Sequence, residues 1–132
     1  MSAPFTKQQR AATRMPPDPL LSVVMPVFNE QDTVEEIIRR VLAVKMRIEL
    51  IVVDDVSTDG TPAILDRLQK ELGFVLLRQP RNGGKGAALR RGFAAVTGDM
   101  MIVQDADLEY SPEEYVLLTP LIISGRADVV FG

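Results

Sequence analysis

Three short apolar runs without polar alternation constrain this chain most: Leu20 to Val27, Leu50 to Val53 within Glu49–Asp55, and Met100 to Val103. A strand with one wet face alternates, whereas an unbroken run of this length suits a strand covered on both faces of a parallel sheet. Each run gives way to polar residues: Phe28-Asn29-Glu30, Asp54-Asp55, and Gln104-Asp105-Ala106-Asp107-Leu108-Glu109. Ligands in such sheets sit outside the carboxyl ends of the strands, so these endings are where chemistry is expected. In the third, Asp105, Asp107 and Glu109 stand at alternate positions. Alternate side chains of extended backbone point the same way. Carboxylates brought together raise one another's pKa unless a cation lies between them. Mg²⁺ typically takes one or two carboxylates and completes its shell with water and substrate phosphates. The chain has no His and no Cys, which excludes a zinc-type site. Taken alone, Asp-x-Asp also reads as an ordinary strand-to-loop turn with solvated acids.

Helical patterns separate the runs. Val34, Ile37, Ile38, Val41 and Leu42 form one apolar stripe, with Asp32 and Glu35 as a capping pair before it. The loop Val56–Gly60 leads to Thr61 as N-cap and Pro62 at the first helical position. Ile64, Leu65, Leu68 and Leu72 make the buried face there, and Gly73 stops the helix. A shorter strand covers Phe74 to Leu77. A loop rich in glycine and positive charge, Gln79 to Gly86, precedes a helix from about Ala87 to Val96, which Gly98 ends. Ser111-Pro112-Glu113-Glu114 starts a further helix, which Pro120 kinks or divides, and Asp128 to Gly132 reads as a last strand. The alternation predicts an α/β fold: three layers around a mostly parallel sheet with right-handed crossovers. Because the chain stops on an apolar strand, it is expected to be the amino-terminal part of a longer protein.

The 132 residues suffice for one domain with a substantial core. A net charge of −3 gives no broad electrostatic case for nucleic acid. The absence of Cys fits a reducing compartment such as the cytoplasm. No apolar segment is long enough to span a bilayer. Residues 1–19 carry Lys7, Arg10, Arg14 and four prolines without apolar periodicity, and read as a disordered basic arm rather than a secretory signal. Residues 20–132 are the folded unit.

Pro26 to Glu30, Asp54 with Asp55, and the Asp105 cluster therefore meet at strand ends, with Gly83, Gly84, Lys85 and Gly86 between them. Each piece is weak singly, and the glycine loop is not a phosphate-binding Walker sequence, since Gly86 follows Lys85. Together they describe a nucleotide pocket: an acid for the base, a metal for the pyrophosphate, and a cation and helix start for charge. A carboxylate only accepts hydrogen bonds, which suits the ring N–H of uracil or guanine and offers nothing to adenine's ring nitrogens. A phospho-acceptor receiver-like domain also carries clustered acids and a lysine, but its acid pair should follow the first strand and here it follows the second.

The runs VVMPVFNE, IVVDDVSTDGT, NGGKGAALRRGF and GDMMIVQDADLEYSPEEY, in that order, resemble glycosyltransferase family 2, whose fold is GT-A. Within it the likeness is to dolichol-phosphate mannosyltransferase-like and bacterial polyprenyl-phosphate glycosyltransferase members. The resemblance implies nucleotide contacts at Pro26, Phe28, Glu30, Val53 and Asp55, with Lys85 beside them. It implies a metal motif at Asp105 and Asp107, Ala106 against the nucleotide, Glu109 as a third ligand, and Mg²⁺ or Mn²⁺ as the ion. The implied reaction is inverting transfer of a sugar from a UDP- or GDP-sugar to a polyprenyl phosphate or a glycan in cell-envelope synthesis, at the cytoplasmic face of the membrane. The catalytic residues on the acceptor side are expected beyond position 132, which leaves a non-catalytic nucleotide-sugar-binding module or truncated pseudoenzyme as the alternative. Phe28 replaces the usual Tyr, losing a hydroxyl and keeping a stacking face. Val56 replaces a common Gly, which disfavours positive φ there.

Overall fold

A computed structural model describes residues 16–107, 112 and 129–131. Five strands, β1 (Leu20–Val27), β2 (Arg47–Asp54), β3 (Val75–Arg78), β4 (Met100–Val103) and β5 (Val129–Phe131), form one parallel sheet in the order β3-β2-β1-β4-β5. Helices α1 (Val34–Leu42), α2 (Thr61–Leu72) and α3 (Gly84–Ala94) alternate with the first four strands. The chain starts in the middle of the sheet, winds outward to β3, then crosses to the other side of β1. Crossovers therefore leave β1 and β4 in opposite directions, which is the switch point of a doubly wound fold. A receiver-like order would place β1 between β2 and β3, and here its neighbours are β2 and β4.

The unbroken apolar runs are covered on both faces. Leu21, Val23, Met25, Leu50 and Val52 pack into one core with Ile37, Ile38 and Val41 of α1 and Leu65 and Leu68 of α2. Ile51 and Val53 form a second core with Ala88 of α3 on the other face. The first strand covers the predicted span Leu20 to Val27. Its Pro26 follows from the topology. Gln104 N–H donates to Val24 O, so the polar backbone atoms of Val24, and of Pro26 two residues on, face β4. Because β4 ends at Val103, the N–H that proline lacks has no ladder partner to lose.

Several predicted helix starts shift. Thr33, not Asp32, precedes α1, and its side chain does not cap; the Glu30 carbonyl instead accepts Thr33 N–H at 3.1 Å and Val34 N–H at 2.9 Å. Glu35 pairs with Arg39 and with Arg67 of α2, so the Asp32–Glu35 capping pair does not form. Thr61 lies inside α2, and its hydroxyl accepts the Glu30 N–H at 3.0 Å. Gly73 ends α2 in the left-handed region as predicted. Helix α3 begins at Gly84, three residues before the expected Ala87, because the Asp55 carboxylate, just after β2, caps it. Lys85 and Gly86 thus belong to its first turn. The predicted helix from Ser111 with its Pro120, the third acid Glu109, and residues 1–15 of the basic arm lie outside the described residues. Where the arm meets β1, the Asp18 carbonyl accepts a bond from Arg47 at 2.8 Å, tethering it to the start of β2.

Candidate functional site

A cavity of about 320 Å³ opens at the carboxyl end of β1, at the switch point. The first strand and its loop supply Pro26, Phe28 and Glu30; Asp55 follows β2; Lys85 comes from α3; Asp105, Ala106 and Asp107 follow β4. Eight of the expected site residues are thereby brought to one cavity. Val53 is not among them: it is fully buried under α3, a core residue whose register partner in the sheet is Pro26. Glu109 lies outside the described residues. The cavity is also lined by Ala88 and Val27, which have no chemical signature in a sequence. Phe28 is 45 % exposed, a large apolar ring left in solvent at the mouth. An aromatic face there suits stacking on a flat base.

The loops around the cavity are stitched together. Asn29 donates its N–H to Ser57 Oγ at 2.9 Å, and its Oδ1 accepts Thr58 N–H at 2.8 Å. Asn29 takes φ +51°, a left-handed conformation that Asn tolerates because its side chain bonds locally. Gln31 Oε1 accepts Gly60 N–H at 2.8 Å, and a side chain at Gly60 would strike that same oxygen. Asp54, almost wholly buried, accepts both the hydroxyl and the N–H of Ser57. Thr33 Oγ1 lies 2.6 Å from the Ala106 carbonyl, to which it donates, fixing the turn that carries the Asp105–Asp107 pair. Neither Thr33 nor Asn82, whose Nδ2 donates to the Asp55 carbonyl at 3.0 Å, is expected from the sequence.

The Asp55 side chain is 4 % exposed as a residue and both its oxygens are engaged, by Gly83 N–H at 2.9 Å and Gly84 N–H at 2.8 Å. Each carboxylate oxygen has two acceptor sites, so one on each remains for a ligand. Glu30 is pushed above its ordinary value by burial and then by the charges of Asp107 and Asp105, with the Thr33 hydroxyl working the other way. The acids therefore share one negative field. Lys85 enters it directly, its Nζ 2.7 Å from Asp105 Oδ1.

The donor set suits a hard divalent cation: carboxylate oxygen, without nitrogen or sulfur. Asp105 and Asp107 are the described residues that would hold it. Among the described residues no three acids are arranged to enclose an ion, so substrate phosphates would have to complete the shell.

The sequence model of Glycosyl transferase family 2 matches residues 22–132. Over 100 residues the chain is 38 % identical to the undecaprenyl-phosphate 4-deoxy-4-formamido-L-arabinose transferase of Sodalis glossinidius, a match covering 71 % of this chain and 31 % of that protein. The chain thus spans about a third of the length of the curated relatives it matches. Among solved structures, a mannosyltransferase from Pyrobaculum calidifontis in complex with GDP-Man and Mn²⁺ superposes with a TM-score of 0.67 at 26 % identity, over 83 % of this chain and 36 % of that one. Mycobacterium tuberculosis glucosyl-3-phosphoglycerate synthase, in complex with Mn²⁺, UDP and glucosyl-3-phosphoglycerate, superposes with a TM-score of 0.61 at 29 % identity, over 92 % of this chain and 46 % of that one.

Proposed function

We propose that this chain, which belongs to glycosyl transferase family 2, is the donor-binding part of an inverting transferase that takes a sugar from a metal-bound UDP- or GDP-sugar. Its fold is that of the GT-A nucleotide-sugar transferases. The acceptor we assign is a polyprenyl phosphate, the class named in the relatives' own names. One observation carries the reading: a single cavity at the sheet's switch point gathers an exposed aromatic, a buried carboxylate, a lysine and the Asp105–Asp107 pair. Phe28 stacks on the base, and Asp55 accepts its ring N–H through the acceptor sites that Gly83 and Gly84 leave open. Lys85 places positive charge beside the diphosphate. Asp105 and Asp107 would hold a divalent cation, which would supply Lewis-acid stabilisation of the departing diphosphate. A phosphate acceptor is already an anion, so transfer to it needs no strong general base. No helix among the described residues is long and apolar enough to cross a membrane.

The test is a calorimetric panel of UDP, GDP and ADP, with Mn²⁺ or Mg²⁺ and without, on the wild type and Asp107→Ala. UDP or GDP should bind better than ADP, because a site built to hydrogen-bond a ring N–H is left unpaired by adenine. Metal should strengthen that binding in the wild type and not in Asp107→Ala. Equal binding of ADP removes the base-reading role of Asp55, and indifference to metal removes the cation site.

A further inference from the structure

Lys85 and Asp105 form an ion pair inside the cavity, and the pair occupies one of the two carboxylates that the cation needs. The lysine side chain is 58 % exposed and that of Asp105 25 % exposed, so the pair is wet on one side and easily exchanged. The backbone beneath Lys85 is fixed: the preceding amides, of Gly83 and Gly84, are clamped by Asp55. The Asp105 backbone is fixed as well, between the Gln104 N–H bonded to Val24 O and the Ala106 carbonyl bonded to Thr33. What remains free to move is the long lysine side chain, swinging from an anchored base. Within its reach the same cavity offers the place for a diphosphate, a more highly charged partner than one carboxylate.

We infer that Lys85 is an exchange residue: its ammonium holds Asp105 until a nucleotide diphosphate arrives, then passes to the phosphates and leaves Asp105 to the divalent cation. This rests on the donor-binding reading above and adds a coupling to it. Metal alone must compete with an internal cation; metal with diphosphate does not. Lys85 thereby makes metal binding conditional on the substrate and keeps Asp105 paired between turnovers. It is a positioning residue, acting on the metal site through Asp105.

The experiment measures Mn²⁺ affinity by calorimetry, with and without saturating UDP or GDP, in the wild type, Lys85→Met and Arg90→Gln. Arg90 is exposed on the same helix five residues on, and its loss removes the same charge from the neighbourhood. Lys85→Met should bind Mn²⁺ alone roughly two- to five-fold more tightly, the range that a partly exposed ion pair supports. The gain in Mn²⁺ affinity conferred by the nucleotide should shrink by at least that factor, and Arg90→Gln should behave as wild type. Unchanged or weaker Mn²⁺ binding by Lys85→Met overturns the exchange role, as does an equal effect of Arg90→Gln, which would make it a general field. A wild type that binds Mn²⁺ no better with nucleotide fails the donor-binding reading itself, and the exchange with it.

Discussion

The Asp55 carboxylate bridges strand β2 and helix α3, accepting Gly83 N–H on one oxygen at 2.9 Å and Gly84 N–H on the other at 2.8 Å. Helix starts leave amides without intrahelical partners, and a negative charge there also meets the favourable end of the helix dipole. The cap that α3 lacks in its own sequence is thus supplied by a residue 28 positions earlier. It also fixes where α3, which carries Lys85, stands beside the cavity.

Asp55→Asn should therefore destabilise the fold. The amide keeps one acceptor and turns its new donor toward a backbone N–H, leaving a polar group of the buried side chain unsatisfied. The expected loss is about 1–3 kcal/mol, read as a lower urea midpoint at unchanged slope. A variant as stable as the wild type would mean that α3 does not depend on this cap.

Val56 sits at φ +62°, although a β-branched residue disfavours that region and positive φ was not expected there. The loop keeps its shape because Asn29, Ser57 and Thr58 bond across it. Holding an L-residue left-handed costs about 1–2 kcal/mol. The Val56 side chain is exposed, so little burial is lost by removing it. Val56→Gly should then stabilise the protein by roughly 0.5–1 kcal/mol after the extra backbone entropy of glycine. The check is a higher urea midpoint, and a lower one would show that the valine side chain contributes packing.

The strands were legible because burial on both faces leaves an unbroken apolar run, as in Leu20–Val27 and Leu50–Val53. The strand-end acids were legible because polar residues abruptly follow those runs. The helix start at Gly84 was not, because its capping partner Asp55 lies 28 positions before Gly83; at Thr33 and Thr61 the partners, the Glu30 carbonyl and the Asp59 carboxylate, are local but stand outside the capping-box spacing. A local pattern such as Asp32 with Glu35 carries no information about Arg67, which claims Glu35 across the helix pair. Only the family resemblance implies a contact at Val53; period two turns its side chain into the second core.

Gly92 is legible as a helix residue of no special type, yet α3 packs on the sheet through it. A Cβ there would land on Val24 Cγ1 and within 3.3 Å of Val53 Cγ2, both fully buried. Gly92→Ala has higher helix propensity, so on propensity alone it would stabilise by about 1 kcal/mol. Overpacking against two fixed β-branched residues costs about 1–3 kcal/mol and should win. The expected result is a net loss of stability in urea together with weaker nucleotide binding, since a displaced α3 carries Lys85 with it. A stabilised variant would mean that the helix can lift without cost.

The opposite end of the sheet supplies a prediction that leaves the cavity untouched. Glu49 accepts the Ser22 hydroxyl at 2.7 Å, the Thr97 N–H at 3.0 Å and the Thr97 hydroxyl at 2.6 Å. The same Ser22 hydroxyl accepts Gly98 N–H at 2.9 Å, so the carboxylate ties β2 to β1 and to the turn entering β4. Burial alone would raise this carboxyl, but the bonds from Thr97 and Ser22 outweigh it and hold Glu49 below its ordinary 4.5. Between the two values the unfolded chain binds more protons than the folded one, so stability rises with pH there. The contribution is complete above 4.5 and is lost as pH falls through the lower folded value. Glu49→Gln should accordingly be less stable than wild type at pH 7, by about 1–3 kcal/mol for the bonds that an amide cannot accept. The two proteins should converge in acid, while their nucleotide affinities stay equal at pH 7. Urea unfolding from pH 7 to pH 3 measures the gap, and a gap that holds constant across that range would show that the charge on Glu49 is not what binds the turn.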